Sequence, residues 1–427
     1  MRGSGLVHES DDGSLAVVHG TIRGLEEDDG LPATLLELYR RDPRGLEGLS
    51  GSYVLALWDA ARRRLVLAND RFGSRNLYLA IAGDVLVFAP LVGALLALPD
   101  VARDLDLGAV ADLLTFQHVL GDATLLRDVR ALPPASIATF DASGLRVRRR
   151  WQPVYRPERS ARLEEYADEL GRRLRAAVVR SASSGLRPGL PLSGGLDSRA
   201  LLAVLDGGSM EMPCFTYGVA GCLDVLAARR LAASVGAPHR VIELEPGYVA
   251  RYAGELVRLT DGMHLALNGH ATALQQCADW CDLLVLGNGG DSLLDAFWKR
   301  HDARPGSEAF VRGMYDLMSC GVDGATARHV LAAPLRDELR RGPLDRLRRR
   351  LALYQGETAA DVADAYNAGE RHWRWVLQGV PAQSTHVEFR QPFFDDGVTE
   401  LALRAPTALR TGRRLHVELI RRMTPDL

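Results

Sequence analysis

The sequence predicts an α/β protein in two parts. An antiparallel β-domain with a few helices covers residues 1–155, and a domain built on a parallel sheet with added helices covers 156–427. Three observations predict this. Short apolar runs separated by turn residues fill the chain from 15 to 155. From Leu163 onward the apolar residues take up helical spacing. Beyond Leu190, apolar strands alternate with helical stretches, and two of those strands run straight into glycine loops.

Taken in order, "GSYVLALWDAARRRLVLAND" holds two apolar runs separated by the polar turn Asp59–Arg64, followed by a loop at Gly73 and a further strand. "ASIATFDASGLRVRRRW" reads as a hairpin turning at Ser143-Gly144. "QPVYRPERSA", with two prolines and no periodicity, marks the domain boundary near 152–161. Leu163, Tyr166, Leu170, Leu174 and Val178 then share one helix face. A strand at 190–192 leads through a loop into a helix at 197–205. "PCFTYG", a helix at 223–235, "RVIEL" and "CDLLVLGNGGD" continue the alternation, the pattern of a parallel sheet with helices on both faces. Residues 305–380 read as mostly helical, and their arginine-rich runs as solvated helix faces.

The composition narrows the function. With 47% hydrophobic and 25% charged residues in 427, a sizeable core is expected and disorder is disfavoured. A net charge of −2 supplies no basic field, so nucleic acid is not an expected partner. The longest apolar run, "FAPLVGALLALP", is too short to span a bilayer, and no charged-then-apolar leader is seen, so the expected setting is the cytoplasm. Cys214, Cys222, Cys277, Cys281 and Cys320 are expected to be free thiols. Lys299 is the only lysine, which a GC-rich coding bias explains best.

The chemistry concentrates in two loops. In Ser193-Gly194-Gly195-Leu196-Asp197-Ser198 the glycines let the backbone turn tightly and approach a ligand. The N–H groups at the start of the following helix face an anion, favoured by the helix dipole. Both serines can donate hydroxyl hydrogens, and Asp197 is placed to hold a cation. The bland alternative is an ordinary strand-to-helix turn capped by Asp197. The pattern favours a nucleotide, although it is not a Walker loop, since Gly-Lys-Ser/Thr is missing. In "LVLGNGGDSLLDAFW" a second strand ends at Gly287, and Asp291 is expected to share Mg²⁺ with Asp197.

SGGLDS, GNGGD and the later "HVEFRQPFFDD" together resemble the synthetase domain of the glutamine-hydrolysing asparagine synthetase superfamily. "GLEGLSGSYVLALWDAARRRLVLANDRFGSRNLYLA" and "GDATLLRDVRALPPAS" are similar to parts of that family's N-terminal glutaminase domain. The resemblance implies a degenerate Ntn-hydrolase-like domain followed by a PP-loop ATP-pyrophosphatase domain. It implies that Ser193, Gly194, Gly195, Asp197 and Ser198 bind pyrophosphate, with Asp197 and Asp291 on Mg²⁺. Leu192, the Phe215–Gly218 strand end and Gly287 would frame the adenosine of ATP. The implied chemistry converts a carboxylate to an acyl-adenylate, which an amine attacks to give an amide and AMP.

The chain departs from that pattern in places. The family's glutaminase nucleophile is an N-terminal cysteine, whereas this chain opens Met1-Arg2-Gly3-Ser4 and its first cysteine is Cys214. Ser4 has no evident base, and His8 and His19 read as ordinary surface or core residues, so no glutaminase activity is expected. β-Lactam synthetases and lasso-peptide cyclases, which share that silence, close an amide within one substrate. Ring closure on a small carboxylate or a precursor peptide is therefore the leading expectation, and ammonia-dependent amide synthesis fits equally well. Asn288 stands where asparagine synthetases carry Glu and β-lactam synthetases Tyr, and an amide cannot be a general base. Ser292 stands where asparagine synthetases carry Glu. Glu388 is left as a base or base-orienting carboxylate, or as a buried partner for Arg390. For the family's C-terminal lysine the nearest cations are Arg413, Arg414 and Arg421; Arg414 takes the role here, with Lys299 as a second candidate. A decayed nucleotide-binding scaffold and an RNA-thiolating enzyme are the competing readings, the latter disfavoured because Cys277 and Cys281 read as core. The sequence leaves open whether the chain forms a homodimer.

Overall fold

The structure, a computed structural model, describes residues 6–25, 29–158, 160, 162–205, 212–298, 303–320, 322, 324–425 and 427. Nine strands form the first domain: β1 (Leu6–Glu9), β2 (Leu15–Ile22), β3 (Gly51–Asp59), β4 (Arg64–Asn69), β5 (Tyr78–Ala82), β6 (Val85–Ala89), β7 (Val129–Ala131), β8 (Ser136–Asp141) and β9 (Gly144–Arg149). They make a six-stranded antiparallel sheet, order β1-β2-β3-β4-β8-β9, and a three-stranded one, order β6-β5-β7. Alternation along β3 turns Tyr53, Leu55 and Leu57 inward against Leu31, Leu35, Leu36 and Tyr39 of the helix Leu31–Arg41. The opposite face of the sheet meets the smaller sheet through Leu67, Leu79, Leu86 and Ala138. The turns at Asp59–Arg64 and Ser143-Gly144 fall where the sequence puts them.

The described residues of the boundary segment form neither helix nor strand, yet they are bolted to the second domain. The N–H groups of Arg156 and Glu158 donate to the carbonyls of Leu403 and Arg404 at 2.8 and 2.9 Å. The Tyr155 ring is buried under the Arg410 guanidinium, 4.1 Å away.

The second domain holds β10 (Pro188–Pro191), β11 (Cys214–Gly218), β12 (His239–Glu243), β13 (Leu283–Val285) and β14 (Glu388–Arg390), all parallel, in the order β12-β11-β10-β13-β14. The chain walks outward from β10 to β12, then returns to the other side of β10. Strand order therefore reverses between β10 and β13, and their carboxyl ends open a crevice there. Helices Leu163–Ala182, Leu196–Leu205 and Arg414–Met423 pack together through Leu170, Leu174, Leu201 and Leu419. The expected helical region beyond 305 is present, and it includes Pro343 inside the long helix Ala333–Leu351. No described helix is long and apolar enough to cross a membrane. All five cysteines are free thiols, and Cys277 and Cys281 are fully buried.

Ion pairs and an aromatic stack join the domains. Phe72 stacks on Phe394 with ring centroids 3.9 Å apart. Arg75 Nε donates to the Ser52 carbonyl at 3.1 Å, Nη1 lies 2.7 Å from His19 Nε2, and Nη2 donates to the Glu388 carboxylate. Arg390 adds a second guanidinium to Glu388 at 3.1 Å. Glu388 opens β14 opposite Leu283, at the far end of the sheet from the crevice, so it is not a base at the site. It is the interdomain ion-pair partner, and His19 is engaged by Arg75.

Burial raises the Glu388 carboxyl, but Arg75 and Arg390 outweigh it and hold the group below the usual glutamate range. A depressed folded-state value contributes stability above the unfolded-state value, and that contribution is lost as pH falls through the folded-state value. Glu388→Gln is expected to lower unfolding free energy in urea by about 3 kcal/mol at neutral pH. The difference from the unaltered protein should shrink below the ordinary glutamate range.

Candidate active site

The crevice between β10 and β13 is a cleft of about 620 Å³. On one side β10 ends and the chain turns through Ser193, Gly194 and Gly195 into the helix Leu196–Leu205. Side-chain oxygens fill the turn: Ser198 Oγ accepts from Ser193 N–H, Asp224 Oδ1 from Gly194 N–H and Ser193 Oγ from Gly195 N–H, each at 3.1 Å. The turn is thus a nest of donors, and phosphate oxygens would compete with those side-chain oxygens for them. Asp224, from the helix Leu223–Ser234, is a member that sequence reasoning missed.

On the other side β13 ends, and Leu286 to Gly289 lead into the short helix Gly290–Leu294. Its second residue, Asp291, donates its backbone N–H to Asp197 Oδ2 at 3.0 Å. Two glycines permit that approach. A Cβ at Gly290 would lie 2.7 Å from Asp197 Cγ, and one at Gly287 would lie 3.1 Å from Ser198 N. Gly289, at φ +100°, faces the Phe394 ring with no room for a side chain.

The cleft is acidic at this point. Burial first, and then the Asp291 carboxylate, push the Asp197 carboxyl up to about 8. Buried His416 from the helix Arg414–Met423 sets Nε2 3.2 Å from Asp197 Oδ1, without hydrogen-bond alignment. Burial pulls His416 down to about 4, so it is neutral near pH 7. Two adjacent carboxylates facing a turn rich in N–H donors suit a small hard cation that takes its remaining oxygens from phosphate and water. No group of three or more His, Cys, Asp or Glu side chains poised for a metal occurs among the described residues.

The remaining candidates separate. Leu192, Phe215, Gly218, Gly287 and Asn288 all line the cleft. Leu192 has both backbone groups engaged: its N–H donates to the Phe215 carbonyl at 2.9 Å, and its carbonyl accepts from Thr216 Oγ1 at 2.6 Å. The Phe215 ring turns into the core beneath Gly189. Asn288 Nδ2 is buried without a partner among the described residues. Arg414 does not line the cleft: it donates to the Ala408 carbonyl at 3.2 Å and faces a separate depression with Pro305 and Glu357. The cation at the cleft is its neighbour Arg413, with Nε 3.4 Å from Asp295 Oδ2. Two successive left-handed residues, Gly412 at φ +69° and Arg413 at φ +62°, turn the chain there, a swing no helical periodicity announces. Lys299 and Ser4 lie outside the described residues.

An open parallel sheet with a glycine turn and paired acids at its switch point defines the class: α/β proteins whose ligand crevice lies at the carboxyl ends of the strands. Residues 169–426 match the asparagine synthase family, and residues 33–152 match a glutamine amidotransferase domain. The chain belongs to the asparagine synthase family. Among its relatives, glutamine-hydrolysing asparagine synthetase 3 of Bacillus subtilis is 26% identical over 41% of this chain and 29% of its own length. A putative glutamine-hydrolysing asparagine synthetase of Mycobacterium bovis is 27% identical over 53% of this chain and 36% of its own. The matched stretches thus span about a third of those relatives. A glutamine phosphoribosylpyrophosphate amidotransferase structure from B. subtilis, with ADP and GMP, shares 13% identity at a TM-score of 0.23, covering 67% of this chain and 59% of its own.

Gly290→Ala is expected to displace the Asp197 carboxylate and cost about 1–3 kcal/mol of stability in denaturant unfolding. Gly254→Ala, with open space in the helix Tyr248–Thr260, is expected to add about 0.5–1 kcal/mol in the same measurement.

Proposed function

We propose that the chain is an ATP-dependent amide synthetase that activates a carboxylate as its acyl-adenylate, releasing pyrophosphate and then AMP. The observation that carries this reading is the meeting of Asp197 with Asp291 beside the Ser193–Gly195 turn. Family membership over residues 169–426 supports it.

The chain's own groups divide the work. N–H groups and hydroxyls at Ser193, Gly195 and Ser198 bind the phosphates. Asp197 and Asp291 would hold Mg²⁺, which when bound neutralises charge on the leaving pyrophosphate. Arg413 meets charge at the mouth of the cleft and cannot deprotonate an amine. Asn288 orients the acyl group through its amide, and the apolar wall at Leu244, Leu274 and Leu286 excludes water.

The amine is the finer part of the proposal. Residues 33–152 contain no cysteine, and the first cysteine of the chain is Cys214. In this reading the amine comes from the substrate itself and not from glutamine, closing a lactam or macrolactam on a small acid or peptide. Free ammonia is the alternative donor.

The test is isotope exchange between pyrophosphate and ATP with Mg²⁺ and a panel of amino-substituted acids and peptides. An acid that drives exchange and yields an amide plus AMP supports the reading, and exchange with no acid in the panel overturns it. Asp197→Asn and Asp291→Asn are each expected to reduce exchange about a hundredfold or more, and Arg413→Ala about tenfold. Arg414→Ala should match the unaltered protein. Glutamine should yield no ammonia.

A further inference from the structure

Ser292 and His372 have no part in the reading above, yet both are buried and they touch. Ser292 is 3% exposed and His372 1%. Ser292 Oγ lies 3.1 Å from Asp291 Oδ1 and 2.6 Å from His372 Nδ1. The Ser292 hydroxyl donates its one hydrogen to the Asp291 oxygen and must therefore accept from the imidazole. That assignment puts the proton on Nδ1 and leaves Nε2 a lone-pair acceptor; Nε2 is buried without a partner among the described residues.

The surroundings hold this arrangement. His372 sits in the wide π-type turns Asn367–Val376, with its ring edge-on to Phe394 at 5.1 Å. Phe394 also closes over Gly289, the residue that opens the Asp291 helix. One ring thus braces both ends of the chain of contacts. Wide turns of this kind are commonly kept where a side chain must be re-aimed.

We propose that the Ser292–His372 pair is the outer link of the cation site, fixing the Asp291 carboxylate so that one oxygen is held by the Ser292 hydroxyl while the other faces the cleft. The two are positioning residues that act through Asp291. The proposal rests on the reading of Asp197 and Asp291 as the carboxylates that hold the cation. Groups that orient a metal ligand govern affinity for the ion and leave the rest of the ligand's contacts untouched. Nucleotide binding should therefore split into a part that needs the pair and a part that does not.

The experiment titrates Mn²⁺ into the full chain with ATP, reading free Mn²⁺ by electron paramagnetic resonance, and titrates ATP in EDTA by calorimetry. Ser292→Ala and His372→Phe are expected to weaken Mn²⁺ binding about tenfold or more, with ATP binding in EDTA within about twofold of the unaltered protein. Ser292→Thr and His372→Asn, which keep a hydroxyl and a donor at the Nδ1 position, are expected to restore most of the affinity. Unchanged Mn²⁺ affinity in Ser292→Ala overturns the proposal, as does an equal loss of both affinities. An unaltered chain that binds ATP in EDTA but no Mn²⁺ beside it overturns instead the assignment of Asp197 and Asp291, and with it this inference.

Discussion

One hydrogen bond fixes the working end of this protein: the N–H of Asp291 donated to the carboxylate of Asp197 across the crevice between β10 and β13. The two residues are far apart in sequence and come from the first turns of two different helices. They meet because strand order reverses at β10, which sets two loops facing each other instead of side by side. Glycines at 287 and 290 remove the side chains that would hold the loops apart. In that place burial and then the Asp291 carboxylate push Asp197 toward its protonated form, a cost that a divalent cation would relieve.

The surrounding structure limits what that place can do. Both His372 and His416, near the acids, are buried and pulled down to about 4, so both are neutral imidazoles near pH 7. The described cleft lining includes carboxylates, amide and hydroxyl groups, the His270 ring, the Cys222 thiol and the Arg413 guanidinium, and its carboxylates, amide and hydroxyls suit holding phosphates and orienting an acyl group. The carboxylate proposed as a base from the sequence, Glu388, is locked between Arg75 and Arg390 at the opposite end of the sheet. Its place there shows what the first domain does structurally. Arg75 gathers Ser52, His19 and Glu388, so the antiparallel sheets brace the strand that carries the "EFRQPFF" turn.

Much of the layout could be read before any coordinates. Period-two alternation places β3 of the first domain, because alternate residues there are the more deeply buried ones. Strand, glycine loop and helix in succession place Ser193 and Asp291 at strand ends. The readings that moved were those resting on a single side chain's direction. Arg413 and Arg414 are neighbours, and only the left-handed turn at Gly412 and Arg413 decides which one faces the cleft. His372 sits in a π-type segment whose wider turn carries it off any face a period of 3.6 would assign. Asp224 and His416 reach the site from separate helices, so no local spacing announces them.

The sequence by itself determined the two-part architecture, the location of the glycine turns and the chemical kind of residue at each, because those depend on local periodicity and backbone freedom. The tertiary structure alone decided which acids stand together and which is drawn away into an ion pair. It also decided which arginine looks into the cleft and which buried histidine braces Asp291. Those outcomes turn on strand order, on the handedness of one turn and on burial, and all three exist only once distant parts of the chain are packed against each other.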